Sequence, residues 1–247
     1  MNSKQPSLPQ KIAAVGRSSL PASVLAASGR VLYTPASTLS GSPPIYFLGL
    51  NPGEDADGAE MHNRLTVSDD LSRLESESIP QHAYLDERWK GYLPGQAPIQ
   101  VAGRAVFAIL CGGDSVRGDA LLRSTPISNF ILQRSKSEAE LIQRAREKPV
   151  TLALQCWPFH SAVIGATRCQ VVLTHAVGVA RELARTLGLG EGHQRPSGWG
   201  GTLSTLYAWN LGPGVRMLAM PNLSRYRPDS NRAPALASFF KEFGPVL

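Results

Sequence analysis

Ile45-Tyr46-Phe47-Leu48-Gly49-Leu50-Asn51-Pro52-Gly53 is an apolar run that stops in a Gly-x-Asn-Pro-Gly turn. A short apolar run bounded by Gly and Pro reads as a buried strand, and the turn brings one amide side chain, Asn51, to the strand's carboxyl end. In an open α/β sheet, ligands bind at that edge. A second apolar run, Val215 to Met220, stops in the same way in Pro221-Asn222-Leu223-Ser224-Arg225-Tyr226. Two runs far apart in sequence thus each end in a short polar loop containing Pro.

Between and around them the pattern alternates. Gln170-Val171-Val172-Leu173-Thr174 has β-branched strand character and is followed by an amphipathic helical spacing over Val177 to Leu187, which Gly188 ends. Pro126 to Leu132 reads as another strand. Helical spacing is predicted for Met61 to Leu74, Tyr84 to Trp89, Pro98 to Leu110, Ala233 to Phe243, and Ser137 to Arg146, where Ser137 caps and Glu138 and Glu140 favour the first turn. Thr151 to Cys156 could pair as a strand, although the length of Thr151 to Ile164 favours a helix entered or kinked at Pro158. Gly198-Trp199-Gly200-Gly201 reads as a loop. Strands near 45–50, 126–131, 170–174 and 215–220, separated by helices, predict an α/β protein: a three-layer α/β/α arrangement around a mostly parallel, four-stranded sheet.

Residues 1–44 are rich in Ser, Ala and Pro and hold no Asp or Glu. Only Ile12 to Ala27 has helical spacing, so a loose arm with one helix is expected ahead of a single domain over 45–247. An acid-free amino terminus also resembles an organellar transit peptide, but Arg is sparse and Pro interrupts it.

At 247 residues the chain can bury a full core, and its 43% hydrophobic and 18% charged content is that of a soluble globular protein. No apolar stretch of about eighteen residues predicts a membrane span. The three cysteines, Cys111, Cys156 and Cys169, lack a Cys-x-x-Cys spacing and lie in apolar stretches, which suits reduced thiols in the cytoplasm. They are too few for an iron–sulfur cluster. A formal charge of +6 and a pI near 9.5 favour a polyanionic partner, because neutralising phosphates releases counterions. The basic residues gather in the amino-terminal forty and at Arg225, Arg227 and Arg232, behind the second loop. Nucleotide-triphosphate, dinucleotide, serine-hydrolase and zinc-protease motifs are all missing.

The two loops together resemble the signature motifs of the uracil-DNA glycosylase superfamily, whose mismatch-specific and single-strand-selective branches carry a Gly-x-Asn-Pro-Gly loop. Met220-Pro221-Asn222-Leu223-Ser224-Arg225 is similar to that superfamily's Asn-Pro-Ser-Gly-Leu-Ser-Arg version of the second motif, one residue shorter. The resemblance covers roughly 45–226 and favours the helical reading of Thr151 to Ile164. It implies a monomeric DNA glycosylase that needs no metal or cofactor and cleaves the N-glycosidic bond of a flipped, deaminated or mispaired base, uracil above all, in the bacterial cytosol or nucleoid or a eukaryotic nucleus.

Such hydrolysis passes through an oxocarbenium-like sugar, so a water must be held beneath the anomeric carbon and donors must meet the departing base. The resemblance assigns the water to Asn51, with Gly49, Leu50, Pro52 and Gly53 forming the pocket loop. It assigns the base edge to Asn129, whose amide offers both donor and acceptor, the wedge that replaces the flipped nucleotide to Leu223, and backbone contacts to Asn222, Ser224, Arg225 and Arg227. His175, after the third strand, stands at the same sheet edge and could assist catalysis. His160 is a weaker candidate of the same kind.

The chain also departs from the family. Met220 stands where active branches place a hydrogen-bonding His, and loss of one preorganised donor costs about a hundred- to a thousandfold in rate. No aromatic follows the first loop at the family's stacking position, leaving His62 to stack on the base. These departures predict a slow enzyme. They also support the alternative of a catalytically weak or inactive relative that still binds DNA or nucleobases, and hydrolysis of free nucleosides is disfavoured by the basic loop.

Overall fold

The computed structural model describes residues 5–53, 65–79, 81–201 and 204–247. In chain order these form α1 (Leu8–Ser19), α2 (Ala22–Leu25), a 3₁₀ turn (Ala36–Leu39), β1 (Ile45–Gly49), α3 (Val67–Glu75), α4 (Pro98–Leu110), α5 (Ser115–Ser124), β2 (Ile127–Asn129) and α6 (Glu138–Ala145). There follow α7 (Pro149–Thr167), β3 (Val171–Thr174), α8 (Val177–Thr186), β4 (His193–Pro196), β5 (Thr205–Gly212), β6 (Val215–Ala219) and α9 (Ala233–Phe243). Among the described residues, no single helix is long and apolar enough to cross a membrane.

The protein is α/β, with a mostly parallel sheet in the order β2-β1-β3-β6-β5-β4. The sheet has six strands where four were expected. β2, β1, β3 and β6 run parallel, and β5 and β4 extend the sheet antiparallel from β6. β5 and β6 are joined through Gly212-Pro213-Gly214, where Gly214 takes a positive φ of 75°. That hairpin signal is present in the sequence. β4, by contrast, is a fully exposed His-Gln-Arg-Pro segment that only the open edge of β5 makes into a strand.

Both faces of the sheet are buried, so β1 shows no polar alternation. Tyr46 and Leu48 pack into the core beneath α1, α3, α7 and α8, while Ile45 and Phe47 pack into the core beneath α4, α5 and α9. α7 runs through Pro158 without ending there.

The amino-terminal segment is not a loose arm. α1 starts at Leu8, earlier than the predicted Ile12, because Ser7 and Gln10 close a capping box and Pro9 occupies the first turn. Its Ile12 and Ala13 are buried in the core beside α3 and α7. The chain then runs along the outer side of β2, with Tyr33 N–H donating to Ile127 O (2.8 Å), Arg30 N–H to Leu132 O (3.0 Å) and Ser128 Oγ to Val31 O (2.7 Å). It thereby covers a strand edge that would otherwise present unpaired backbone groups.

The helix predicted from Met61 begins, within the described residues, only at Val67, after a Thr66–Asp69 capping box. Tyr84 to Trp89, predicted helical, is a turn over 84–86 followed by irregular chain. Its backbone is tied down by side chains instead: Gln100 Nε2 donates to Ala83 O (2.6 Å) and Glu87 O (3.0 Å), and Arg30 grips the Glu87 carboxylate through both terminal nitrogens (2.6 and 3.0 Å).

Strand register brings the carboxyl ends level. Gly49 pairs with Asn129, Leu48 with Thr174, and Thr174 with Ala219. Asn51, Asn129, His175 and the loop after Met220 therefore emerge along one edge.

Candidate active site

That edge opens into a cavity of about 890 Å³ lined by Asn51, Asn129, His175, Asn222, Ser224 and Arg225 among others. A smaller cleft of about 470 Å³ lies at the opposite edge, where Val171 and Val215 begin their strands. Its one charged lining side chain, Arg216, donates to Phe243 O (3.2 Å).

Asn51 leaves β1 in the turn after Leu50. Its Nδ2 donates to Pro52 O (2.9 Å) and Ser135 Oγ (2.8 Å), and Ser135 N–H donates to Pro52 O (3.0 Å). Because a peptide carbonyl can only accept, these contacts fix which end of the amide carries nitrogen. Asn51 Oδ1 is left as the acceptor end. The Asn-Pro-Gly loop is held from the β2–α6 connection a second time, where Arg134 Nη1 donates to Gly53 O (2.6 Å).

Asn129, the last residue of β2, is 8% exposed, and its side chain makes no hydrogen bond among the described residues. His175 follows β3, is 4% exposed, and has no partner for either ring nitrogen. Burial holds its imidazole down at about 4, so the ring is neutral at physiological pH. Buried polar atoms without partners cost stability and call for a reason, a bound ligand being one. Gly49 brings the two side chains together: an ideal Cβ there would lie 2.1 Å from Asn129 Oδ1 and 3.2 Å from His175 Nε2. Only a residue without a side chain leaves this corner open.

The second loop departs from its expected roles. Leu223 is 1% exposed and packs in the core with Tyr226 and Phe239, so the wedge expected of it is corrected to a core side chain. Met220, at the position where the family's His would meet the base, is fully buried in the same core and does not line the cavity. The loop is too short to lift them out: Arg225 and Tyr226 N–H both donate to Asn222 O (2.9 and 2.7 Å), and Ser224 N–H donates to Asn222 Oδ1 (2.9 Å). Ser224 and Arg225 remain exposed at the cavity mouth, and Arg227 is exposed outside the lining.

His62 lies outside the described residues. His160 is buried away from the cavity, its Nδ1 meeting Tyr46 Oη (2.8 Å) and its Nε2 meeting Phe130 O (3.2 Å). Since Phe130 O can only accept, the proton sits on Nε2 and Tyr46 donates to Nδ1. This ring steadies the strand end beside Asn129.

The sequence reading missed the cavity's aromatic wall, Tyr33, Tyr84, Trp89 and Tyr92. Tyr84 sits edge-on to Phe47 and to Trp89 (5.8 and 5.5 Å), Arg30 lies over Tyr33 (4.3 Å), and Trp89 Nε1 donates to Glu87 (3.1 Å). In a chain only 7% aromatic, Tyr84, Trp89 and Tyr92 within one segment were the available signal. The lining carries both signs at its exposed positions: Lys90, Lys136 and Arg225, and Glu138 and Glu182. Among the described residues, no three His, Cys, Asp or Glu side chains are grouped to hold a metal ion. No family model matches this chain, and no curated protein matches it in sequence.

Proposed function

We propose that the protein is a monofunctional DNA glycosylase that hydrolyses the N-glycosidic bond of an extruded, deaminated or mispaired base, uracil foremost, acting as a monomer without a cofactor. The observation that carries this reading is the meeting of Asn51, Asn129 and His175 at one sheet edge, with both ring nitrogens of His175 buried and unpartnered. In this reading the sheet and its two helical faces form the three-layer α/β/α scaffold expected from the resemblance.

The chemistry follows from the available groups. Asn51 Oδ1, left free by the contacts of Nδ2, accepts a hydrogen bond from a water and orients it toward the anomeric carbon. An amide is no base, so water attacks only as the base–sugar bond breaks and the sugar gains oxocarbenium character. The departing base carries the bonding electrons away as an anion, and the attacking water, once bonded to the anomeric carbon, gives up its proton to that anion or to solvent. Asn129 and the neutral His175 ring supply hydrogen bonds to it, and donors in place before the reaction stabilise developing charge without reorganisation. The aromatic wall offers faces for the base to stack on.

Single-turnover cleavage of oligonucleotides bearing uracil, hypoxanthine, xanthine or mismatched thymine tests the proposal. Native protein should release at least one of these bases, and Asn51→Ala should slow it by about a hundredfold. Salt-dependent DNA binding without any release would favour the second reading, a non-catalytic DNA-binding relative. The buried, donor-less Met220 supports that alternative.

A further inference from the structure

We propose that the Tyr92-Leu93-Pro94 turn enters a DNA duplex and fills the space left by the extruded nucleotide, a role that Leu223 is buried too deeply to play; this rests on the glycosylase reading. Extruding a base leaves a gap in the stack, and an apolar side chain inserted there offsets part of the lost stacking. Such a side chain must be exposed, rigidly carried and next to the pocket that receives the base.

The turn meets each requirement. Tyr92 is 46% and Leu93 62% exposed, and Tyr92 also lines the cavity mouth, so the apolar tip is continuous with the site. The two exposed side chains form a small apolar patch on the rim of the cavity, where a ligand entering it would meet them. The turn is braced from below by Tyr92 N–H donating to Trp89 O (3.0 Å), Gln96 N–H to Leu93 O (3.0 Å) and Gly95 N–H to Glu87 O (3.4 Å). Gly95 has a φ of 70°, and a Cβ there would lie 2.9 Å from Leu85 O, so the tip's shape depends on glycine at this position. The buried Arg30–Glu87 pair fastens the same segment to the amino-terminal chain.

Charge identifies the occupant. Arg88 and Lys90 are exposed just before the tip, and Arg225 and Ser224 are exposed on the second loop, which lines the same cavity. Glu138 and Glu182 line the same cavity, but the exposed charges next to the tip in the chain are Arg88 and Lys90, and an apolar tip with cations beside it matches the stacked interior and phosphate edges of a duplex.

The test uses the full chain and a duplex carrying a tetrahydrofuran abasic analogue beside 2-aminopurine, with the same labelled strand alone as the second arm. Binding is followed by anisotropy and stacking by 2-aminopurine emission. Leu93→Ala is expected to weaken duplex binding by about tenfold or more and to abolish the emission change, while single-strand binding stays as in the native protein. Leu93→Phe should restore both signals, and Val116→Ala, an exposed apolar site elsewhere, should change neither. Equal duplex binding and emission by native protein, Leu93→Ala and a Tyr92→Ala/Leu93→Ala double variant would overturn the proposal and leave the glycosylase reading standing. Failure of the native protein to bind either DNA would overturn both.

Discussion

Gly49 sets the geometry of the cavity floor although it has no functional group. Its missing side chain is what lets Asn129 Oδ1 and His175 Nε2 approach the end of β1. In Gly49→Ala the new methyl would meet the Asn129 amide at 2.1 Å, so the amide must rotate away. Overpacking of this kind costs about 1–3 kcal/mol. The expected outcome is a folded protein with a modestly lower urea midpoint and a single-turnover rate down by roughly a hundredfold, since small misplacements of positioned groups carry penalties of that size. An unchanged rate would show that Asn129 does not touch the reacting base. Asn51 is set by the opposite logic, through donors and acceptors that hold its amide still.

The loop after β6 shows how packing reassigns residues that a motif places on the surface. Pro221, Leu223 and Tyr226 are buried, Asn222 is half-buried, and Ser224 and Arg225 are exposed. Tyr226 reaches Ser197 O (3.1 Å) and lies 4.6 Å from Trp199, which Arg232 covers at 3.8 Å. The loop thus anchors the segment that joins β4 to β5. Leu223→Ala should cost about 2–5 kcal/mol of unfolding free energy, as for other large-to-small changes in a core. Urea denaturation would read this directly. A stable Leu223→Ala protein with a selective loss on duplex substrates would instead restore Leu223 as the wedge.

Across the molecule, the histidines link stability to pH. Burial holds both His160 and His175 at about 4, and lowers His82 as well. In the unfolded chain they return to the ordinary value near 6.5. Between these limits the unfolded state binds more protons, so stability is complete above about 6.5 and falls as the solution is acidified toward 4. By pH 5, His160 and His175 each account for roughly 2 kcal/mol of that loss. Thermal or urea midpoints at pH 7 and pH 5 should show it, and His175→Gln should flatten the slope. A slope identical in native and His175→Gln proteins would mean that the ring is more hydrated than its burial implies. The same neutrality predicts no histidine limb from His175 in a pH–rate profile between 5 and 8.

Features set by neighbours along the chain were readable from the amino acids alone. Apolar runs ending in Gly and Pro marked β1 and β6, Ser137 marked the start of α6, and the strand ends put Asn51, Asn129 and His175 at one edge. These depend on local turn chemistry and on the periodicity of a single element. Tertiary structure decided what depends on distant segments: that residues 29–33 cover the edge of β2, that β4 pairs although its sequence is polar, that Leu223 and Met220 face the core, and that Tyr33, Tyr84, Trp89 and Tyr92 build one wall. A loop's residue types state which contacts it can make, but burial is a property of the surface it lands on. Sequence could therefore name the edge where Asn51, Asn129 and His175 emerge, while only the packed chain could determine which side chains line the cavity there.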